Sequence, residues 1–401
     1  MEGFFTAKQT ESVSRPDGKN YSCISCGLYQ LCKSPKIAPY GNFKKRILNI
    51  GEAPGEMEDR NGKPWQGKTG ILLKQTYADL GIDLFEDCLN INAVNCRPED
   101  NRAPTNYEIA CCRKIVMEVI KQYKPHVIVL FGNAAIFSII GHRWKKSLEG
   151  ISKWRGFCIP DRDLDAWVCP VFHPSYVERA DAKEVDTVWE YDLKQAIKLV
   201  STDLPEYTDP DIEIIEDLSV LNSIKNGRVA FDYETNGIKP HAAGHRIICA
   251  AVADSPDHAY AFMMPPTRKE REPFIKLLTN PKVGKMAQNM KFEHAWSLVR
   301  LKTEVQNWEW DTMVASHILD NRTGVTGLKF QTYVQFGIID YSSEISPYLT
   351  SDGGGGNDIN KIQELLTKPN GKESLLHYCG LDAVYEYRLA MLQQSEILLP
   401  F

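Results

Sequence analysis

With 401 residues, 43% of them apolar and 25% charged, the chain is long enough for two or three separately cored domains. The longest apolar run, residues 127–140, is broken by Gly132 and Asn133 and is too short to span a bilayer. The start after Met1 is polar, without a signal-peptide core, so a cytoplasmic, intracellular protein with no membrane partner is expected. The net charge of −5 excludes a globally basic nucleic-acid binder, but it splits into +3 over residues 1–200 and −8 over 201–401. A weakly basic first half permits local phosphate contacts, and an acidic second half suits the gathering of divalent metals.

Residues 1–20 are polar and unpatterned and read as an arm. Cys23 and Cys26 follow in CISCGLYQLC. The apolar run 47–50 reads as a buried strand that feeds into Gly51-Glu52-Ala53-Pro54-Gly55. Open α/β sheets hold ligands in such a loop, at the carboxyl end of a parallel strand. A helix is predicted over 69–80, a strand over 89–94, a helix over 107–123 and a buried strand over 126–132. Asn133 is read as the cap of a helix that runs to 140. A strand over 167–172 ends at His173-Pro174-Ser175, and a helix over 182–200 closes the unit. This alternation predicts a three-layer αβα domain over 21–200. STDLPEYTDPD (201–211) is read as a linker.

The second unit, 212–401, opens with the strand VAFDYET, followed by a strand pair over 247–264. Helices are predicted over 273–278, 292–299, 312–319 and 374–397. The four glycines at 353–356 read as a mobile loop. There is no internal repeat, so the halves are not a duplication.

Nine of the eleven cysteines precede residue 170. Without a secretory signal, such clustering points to metal or cluster ligation rather than disulfides. Cys23-x2-Cys26 combined with Cys96 and Cys112 can close around one centre, and spacing alone leaves zinc and iron–sulfur both open. Asn92, at a strand end, offers both a donor and an acceptor. His173, at a strand end before Pro174, and Glu52, at a strand tip, are candidate catalytic groups. In the second half, Asp232 and Glu234 alternate along one strand and so share a face. Tyr378 and Asp382 stand one helical turn apart. Asp311 reads as a helix cap.

GEAPGEMEDRNGKPWQGKTGILL, NAVNCRPEDNRAPTNYEIACC and FHPSYVERA, in this order, resemble the family 4 uracil-DNA glycosylases over residues 20–195. The resemblance implies a 4Fe-4S cluster on Cys23, Cys26, Cys96 and Cys112, with Cys32 and Cys111 as spare thiols. It also implies a base pocket at Ala53, Trp65 and Asn92, with Glu52 and His173 catalytic. Trp65 stands where the family has phenylalanine, which bears on pocket size and hence on the preferred base. Ala53 stands where first-family glycosylases carry a water-activating aspartate.

The order D-x-E, N-x3-E, Y-x3-D, with WDTM at 310–313, resembles the 3′–5′ proofreading exonuclease domain of family A DNA polymerases. That implies a ribonuclease H-like fold with a mixed sheet. It also implies two Mg²⁺ or Mn²⁺ ions on Asp232, Glu234, Glu293 and Asp382, with Tyr378 orienting the attacking water. Glu293 stands where the family has aspartate. SHILDNRTGVTGLKFQ points to phage polymerases. The expectation is therefore a bifunctional DNA-processing protein that excises uracil or a related pyrimidine and removes 3′ nucleotides. Its substrates are uracil-containing DNA, single strands and 3′ ends, and it is the N-terminal part or the partner of a family A DNA polymerase. The alternative is a first domain that recognises a base without cleaving it.

Overall fold

The computed structural model describes residues 13–14, 20–351, 353 and 355–398. The expected arm lies almost wholly outside them, and the expected mobile glycine loop lies partly outside. Val13–Ser14 pairs antiparallel with Asn20–Tyr21. The chain divides into two compact units, one of residues 1–205 with Tyr333–Ile339, the other of residues 206–332 with 340–401. The division falls within the expected linker. The short segment Tyr333–Ile339 groups with the first unit. The Tyr333 ring lies 6.0 Å from those of Trp144 and Trp154, and its hydroxyl donates to Asp161 Oδ2 at 2.7 Å, which holds it to the first unit.

In the first unit, β1 (Ile47–Gly51), β2 (Cys88–Asn92), β3 (Val127–Phe131), β4 (Ile159–Asp161) and β5 (Ala166–Val171) form one sheet in the order β2-β1-β3-β5-β4. All pairs are parallel except the β4 edge, which runs antiparallel to β5. Every residue of β1, β2, β3 and β5 is buried, as expected for parallel strands covered on both faces. Val127, Val129 and Phe131 pack with Leu73 and Tyr77 of α1 (Lys68–Asp79), Val177 of Pro174–Ala180 and Trp189 and Leu193 of Lys183–Lys198. Ile128 and Leu130, of opposite parity, are equally buried. Polar groups inside the sheet are paired: Asn49 Nδ2 donates to Asn90 Oδ1 at 2.9 Å, and the Tyr77 hydroxyl donates to Asn49 Oδ1 at 2.8 Å.

The second unit is built on a mixed sheet of β6 (Asp211–Ile214), β7 (Gly227–Thr235), β8 (Ile247–Ser255), β9 (His258–Met263), β10 (Val283–Ala287) and β11 (Trp308–Asp311), in the order β11-β10-β7-β8-β9-β6. β7, β8 and β9 are antiparallel neighbours, and β10 joins β7 in parallel. The 27-residue helix α2 (Gly371–Ile397) lies over a face lined by Ala230, Ala251, Ala253, Ala259 and Ala261. These small residues let it come close: a Cβ on Gly380 would lie 2.4 Å from Ile212 Cγ2. Phe231, Tyr233 and Phe262 face the other way, onto Phe274, Leu277 and Leu278 of Arg268–Thr279. Among the described residues, no helix is long and apolar enough to cross a membrane.

Candidate functional site

The first site gathers at the carboxyl ends of β1, β2, β3 and β5. Gly51 pairs in register with Asn92, and Glu52 and Ala53 follow just beyond. His173 lies two residues past β5 and caps the Pro174–Ala180 helix, its Nδ1 accepting from Ser175 N at 3.2 Å. In the neutral ring this leaves the proton on Nε2. Burial, with a smaller push from Arg179, pulls the imidazole down to about 4, so the ring is neutral at physiological pH. Burial raises the Glu52 carboxyl, and Arg179 partly offsets this. The Gly132 φ of +80° requires glycine between β3 and its helix, and a Cβ there would also approach His173 Cβ to 3.1 Å.

Trp65 lies in the loop before α1 with φ +58°, a strained value for a bulky residue. Glu58 holds that loop. Its Oε1 accepts from Gln66 N at 2.6 Å and Gly67 N at 2.8 Å, and its Oε2 from Gly55 N at 3.1 Å. The indole meets Phe131 edge-on at 5.4 Å and lies 5.8 Å from the His173 ring. Its six-membered edge reaches the position where Gly51 would carry a Cβ, 3.1 Å away, and that same position is 2.3 Å from Asn92 Oδ1. Asn92, Trp65 and His173 therefore form one group around Gly51. Trp65 Nε1 is buried with no hydrogen-bond partner. Glu52 opens instead onto a cavity of about 270 Å³ lined by Pro104, Asn106, Ile109, Asn133 and Phe137.

Asn133 is not the cap expected for its helix. The helix starts at Gly132, so Asn133 is already helical, and its Oδ1 accepts from Ile151 N at 2.8 Å.

Cys23 and Cys26 open and close a four-residue helix, Cys112 lies on Asn106–Tyr123, and Cys96 follows β2. Burial raises all four thiols, Cys26 to about 11 and Cys112 to about 12. Cys96 feels Cys112, Cys32 and Cys23, while Cys112 feels Cys26, Cys23 and Cys111, so the spare thiols belong to the same locality. Lys36 N–H donates to Cys96 Sγ at 3.2 Å, and backbone N–H groups of Leu28 and Asn95 lower the Cys26 and Cys112 thiols. Desolvated sulfurs with backbone donors aimed at them suit thiolate ligation. A tetrahedral zinc would draw its four sulfurs to about 3.8 Å from one another. Among the described residues, the acids whose ligand atoms all lie within 4.8 Å of one another are elsewhere.

That group is Asp232, Glu234 and Asp382 in the second unit. Asp232 and Glu234 project from β7 on the side of Ala230, toward α2, which supplies Tyr378 and Asp382. Burial and mutual repulsion push the Asp232 and Glu234 carboxyls up. Three crowded oxygen donors of this kind fit a hard divalent cation. Glu293 is buried, with Oε2 unpartnered, and stands outside the group. Asp311 caps Thr312–Leu319 and also accepts from Asn289 N at 3.1 Å and Met290 N at 3.0 Å.

Sequence reasoning missed three neighbours of this site. Lys329 Nζ donates to Asp382 Oδ1, the Tyr341 hydroxyl donates to that oxygen at 2.6 Å, and Glu386 is a buried carboxyl one turn beyond Asp382 with Oε2 unpartnered. The i+4 spacing of Glu386 was a readable signal. Lys329 and Tyr341 come from segments whose approach only the fold determines.

The Uracil DNA glycosylase superfamily model matches residues 38–193, and a 3′–5′ exonuclease model matches residues 212–395. The Type-4 uracil-DNA glycosylase of Thermotoga maritima is 36% identical over 175 residues, 43% of this chain and 87% of that protein. A DNA polymerase of Bacillus phage SP01 is 24% identical over 318 residues, 70% of this chain and 33% of that protein. Among solved structures, Brucella melitensis NrnC with bound Mg²⁺ is 20% identical, covers 47% of this chain and 80% of that one, and has a TM-score of 0.34.

Proposed function

The chain belongs to the type-4 uracil-DNA glycosylase family through its first unit and carries a 3′–5′ exonuclease domain as its second, and on that footing we propose the residues that perform each reaction. It is a bifunctional DNA-processing enzyme. The first unit hydrolyses the N-glycosidic bond of uracil, or a related pyrimidine, in DNA. The base is turned out of the stack and lies against Trp65, with Asn92 reading its imide edge. His173, neutral and carrying its proton on Nε2, donates to the base carbonyl as negative charge develops there. Glu52, which lines the adjoining cavity, faces the cationic sugar and orients water. The gathering of Asn92, Trp65 and His173 beside Gly51, with Glu52 one residue beyond, carries this reading. A non-cleaving first unit is not favoured, since 87% of a type-4 enzyme's length is matched at 36% identity.

Cys23, Cys26, Cys96 and Cys112 hold a 4Fe-4S cluster, which braces the fold around the base loop. Asp59 links the two regions, accepting from Lys33 N at 3.2 Å and Ser34 N at 2.8 Å.

In the second unit, Asp232, Glu234 and Asp382 would hold divalent cations, Mg²⁺ or Mn²⁺, and Glu293 would serve a second ion. Bound there, the cations supply an activated water and a stabilised leaving oxygen. Tyr378, one turn before Asp382, orients that water. The approach of the three carboxylates within 4.8 Å carries this reading. The polymerase similarity covers 70% of this chain, more than either unit, so it runs into both. That supports a role beside, or as part of, a family A polymerase, and an intracellular site of action.

An oligonucleotide panel tests both activities. Uracil-containing strands should yield abasic sites that His173→Ala reduces. A 5′-labelled strand should shorten with Mg²⁺ or Mn²⁺, and Asp232→Ala should abolish shortening. Intact uracil strands refute the first assignment, and shortening indifferent to Asp232→Ala refutes the second.

A further inference from the structure

The exonuclease site contains a cation of its own. Lys329, on Leu328–Phe336, extends Nζ to Asp382 Oδ1 and donates to the Tyr341 hydroxyl at 2.9 Å. Tyr341 donates in turn to the same Asp382 oxygen at 2.6 Å, which closes a triangle. The ammonium also lies over two aromatic faces, 4.1 Å from the Tyr341 centroid and 4.3 Å from that of Tyr378. Its side chain is 16% exposed, so it is not a solvated surface lysine that happens to touch an acid.

We propose that Lys329 is a positioning residue of the exonuclease: its ammonium is the resident counter-ion of the three-carboxylate group, and it fixes Asp382 and Tyr378 for reaction. This rests on the reading of Asp232, Glu234 and Asp382 as the cation site.

Three carboxylates whose oxygens lie within 4.8 Å repel one another in a partly desolvated place. One ammonium offsets part of that charge while the site holds no metal. It bonds only Oδ1 of Asp382, which leaves Oδ2 for a divalent ion. Two effects on such an ion oppose each other. A fixed positive charge on a ligand carboxylate weakens the attraction for a dication. The same bond holds that carboxylate, and the two tyrosine rings, in one arrangement, which is what an oriented attack requires. The site therefore gives up metal affinity for geometry.

Removing the ammonium should accordingly tighten metal binding and slow turnover together. A merely structural lysine would weaken both, and a simple competitor for the metal would tighten binding without slowing the reaction.

The test uses the full chain, with Mn²⁺ as the probe, followed by the paramagnetic resonance of the free ion and separately by shortening of a 5′-labelled strand. Lys329→Met should bind Mn²⁺ about tenfold more tightly. At saturating Mn²⁺ its kcat should fall about 10- to 100-fold, with KM for the strand within about twofold. Lys329→Arg, which keeps the charge, should return Mn²⁺ affinity to the wild-type value and recover most of kcat, which also shows that the position tolerates substitution. Weaker or unchanged Mn²⁺ binding in Lys329→Met overturns the proposal, as does undiminished kcat at saturation. Failure of the wild-type chain to bind Mn²⁺ or to shorten the strand refutes instead the assignment of the carboxylate site, so the two failures are separable.

Discussion

Gly51 and Asn92 face each other in register at the ends of neighbouring parallel strands, and a Cβ on Gly51 would stand 2.3 Å from Asn92 Oδ1. The Asn92 amide reaches its place only because residue 51 has no side chain. The same point lies 3.1 Å from the Trp65 ring, so an added methyl would displace both members of the base site. Gly51→Ala should cost about 1–3 kcal/mol of stability through overpacking. Uracil excision should fall at least about 100-fold, because a displacement of about 1 Å is enough to misalign reacting groups. Abasic-site yield and thermal melting measure the two effects, with exonuclease activity as the internal control. Full excision activity in this variant would mean that Asn92 does not read the base.

With His173 in its proposed role, its electrostatics should set the pH range of excision. Its folded-state value of about 4 lies below the ordinary 6.5, chiefly through burial and secondarily through Arg179. The unfolded chain therefore takes up the proton first as pH falls. The stability contributed by this group is complete above about 6.5 and is lost as pH falls toward 4. The acid limb of excision should accordingly lie near pH 4 to 5 rather than 6 to 7. Arg179→Gln removes a repelling cation and should move that limb upward. A limb that stays at the same pH in Arg179→Gln, or a wild-type limb near 6.5, would contradict the assignment.

Much of this was legible in the chain because it depends on short periods. Asp232 and Glu234 share a face by strand alternation, and Tyr378 and Asp382 by the helical turn. Glu52, Asn92 and His173 could be placed because each follows an apolar run that ends in turn residues. Lys329 and Tyr341 carry no such signal, since they join the site through separate loops and helices. Lys285 interrupts the apolar pattern of β10, a strand that no period or motif marked in the sequence. Inside that buried strand its Nζ donates to Asn280 O at 2.6 Å and Val283 O at 2.8 Å, so a charged residue occupies a core position. Asn133 resembled a cap, but the helix starts at Gly132, two residues before the start that such a cap implies.

Trp65 Nε1 is buried without a partner, in the place proposed for a base with carbonyl oxygens. Trp65→Phe removes that orphaned donor and some packing, effects of opposite sign, so stability should change by less than about 1 kcal/mol. The smaller ring should open space beside Gly51 and Asn92. Excision of pyrimidines with a bulkier 5-substituent should rise relative to uracil, measured as the ratio of kcat/KM values. An unchanged ratio would mean that the indole does not limit the pocket.

Six cysteines share the neighbourhood of the expected cluster, so single substitutions can mislead. Cys112 is buried on its helix and receives an N–H from Asn95, whereas Cys111 precedes it on the chain and bonds with Tyr107 and Ser22. Cys112→Ser should lose visible absorbance and iron, with melting lowered. Cys111→Ser and Cys32→Ser should keep iron close to the wild-type amount. Iron loss in Cys111→Ser with retention in Cys112→Ser would reverse the ligand assignment.

Glu293 separates the needs of folding from those of catalysis. Its carboxyl is buried, Oε2 has no partner, and burial and Asp232 both push it well above the usual carboxylate range. An unsatisfied buried acid beside another acid costs stability. Glu293→Gln keeps the shape, removes the repulsion and offers an amide. In metal-free buffer the variant should be more stable by about 1–2 kcal/mol, read from denaturant unfolding of the second unit. With Mn²⁺ present the gain should shrink, because the metal compensates the wild-type charge but cannot be held as well by an amide. Exonuclease turnover should fall at least about tenfold, since a carboxylate that serves the second ion supplies charge where the leaving oxygen develops it. If Glu293→Gln instead destabilises the metal-free chain and leaves turnover intact, the carboxylate is a structural acid, and the second ion must rely on Asp232 and Glu386.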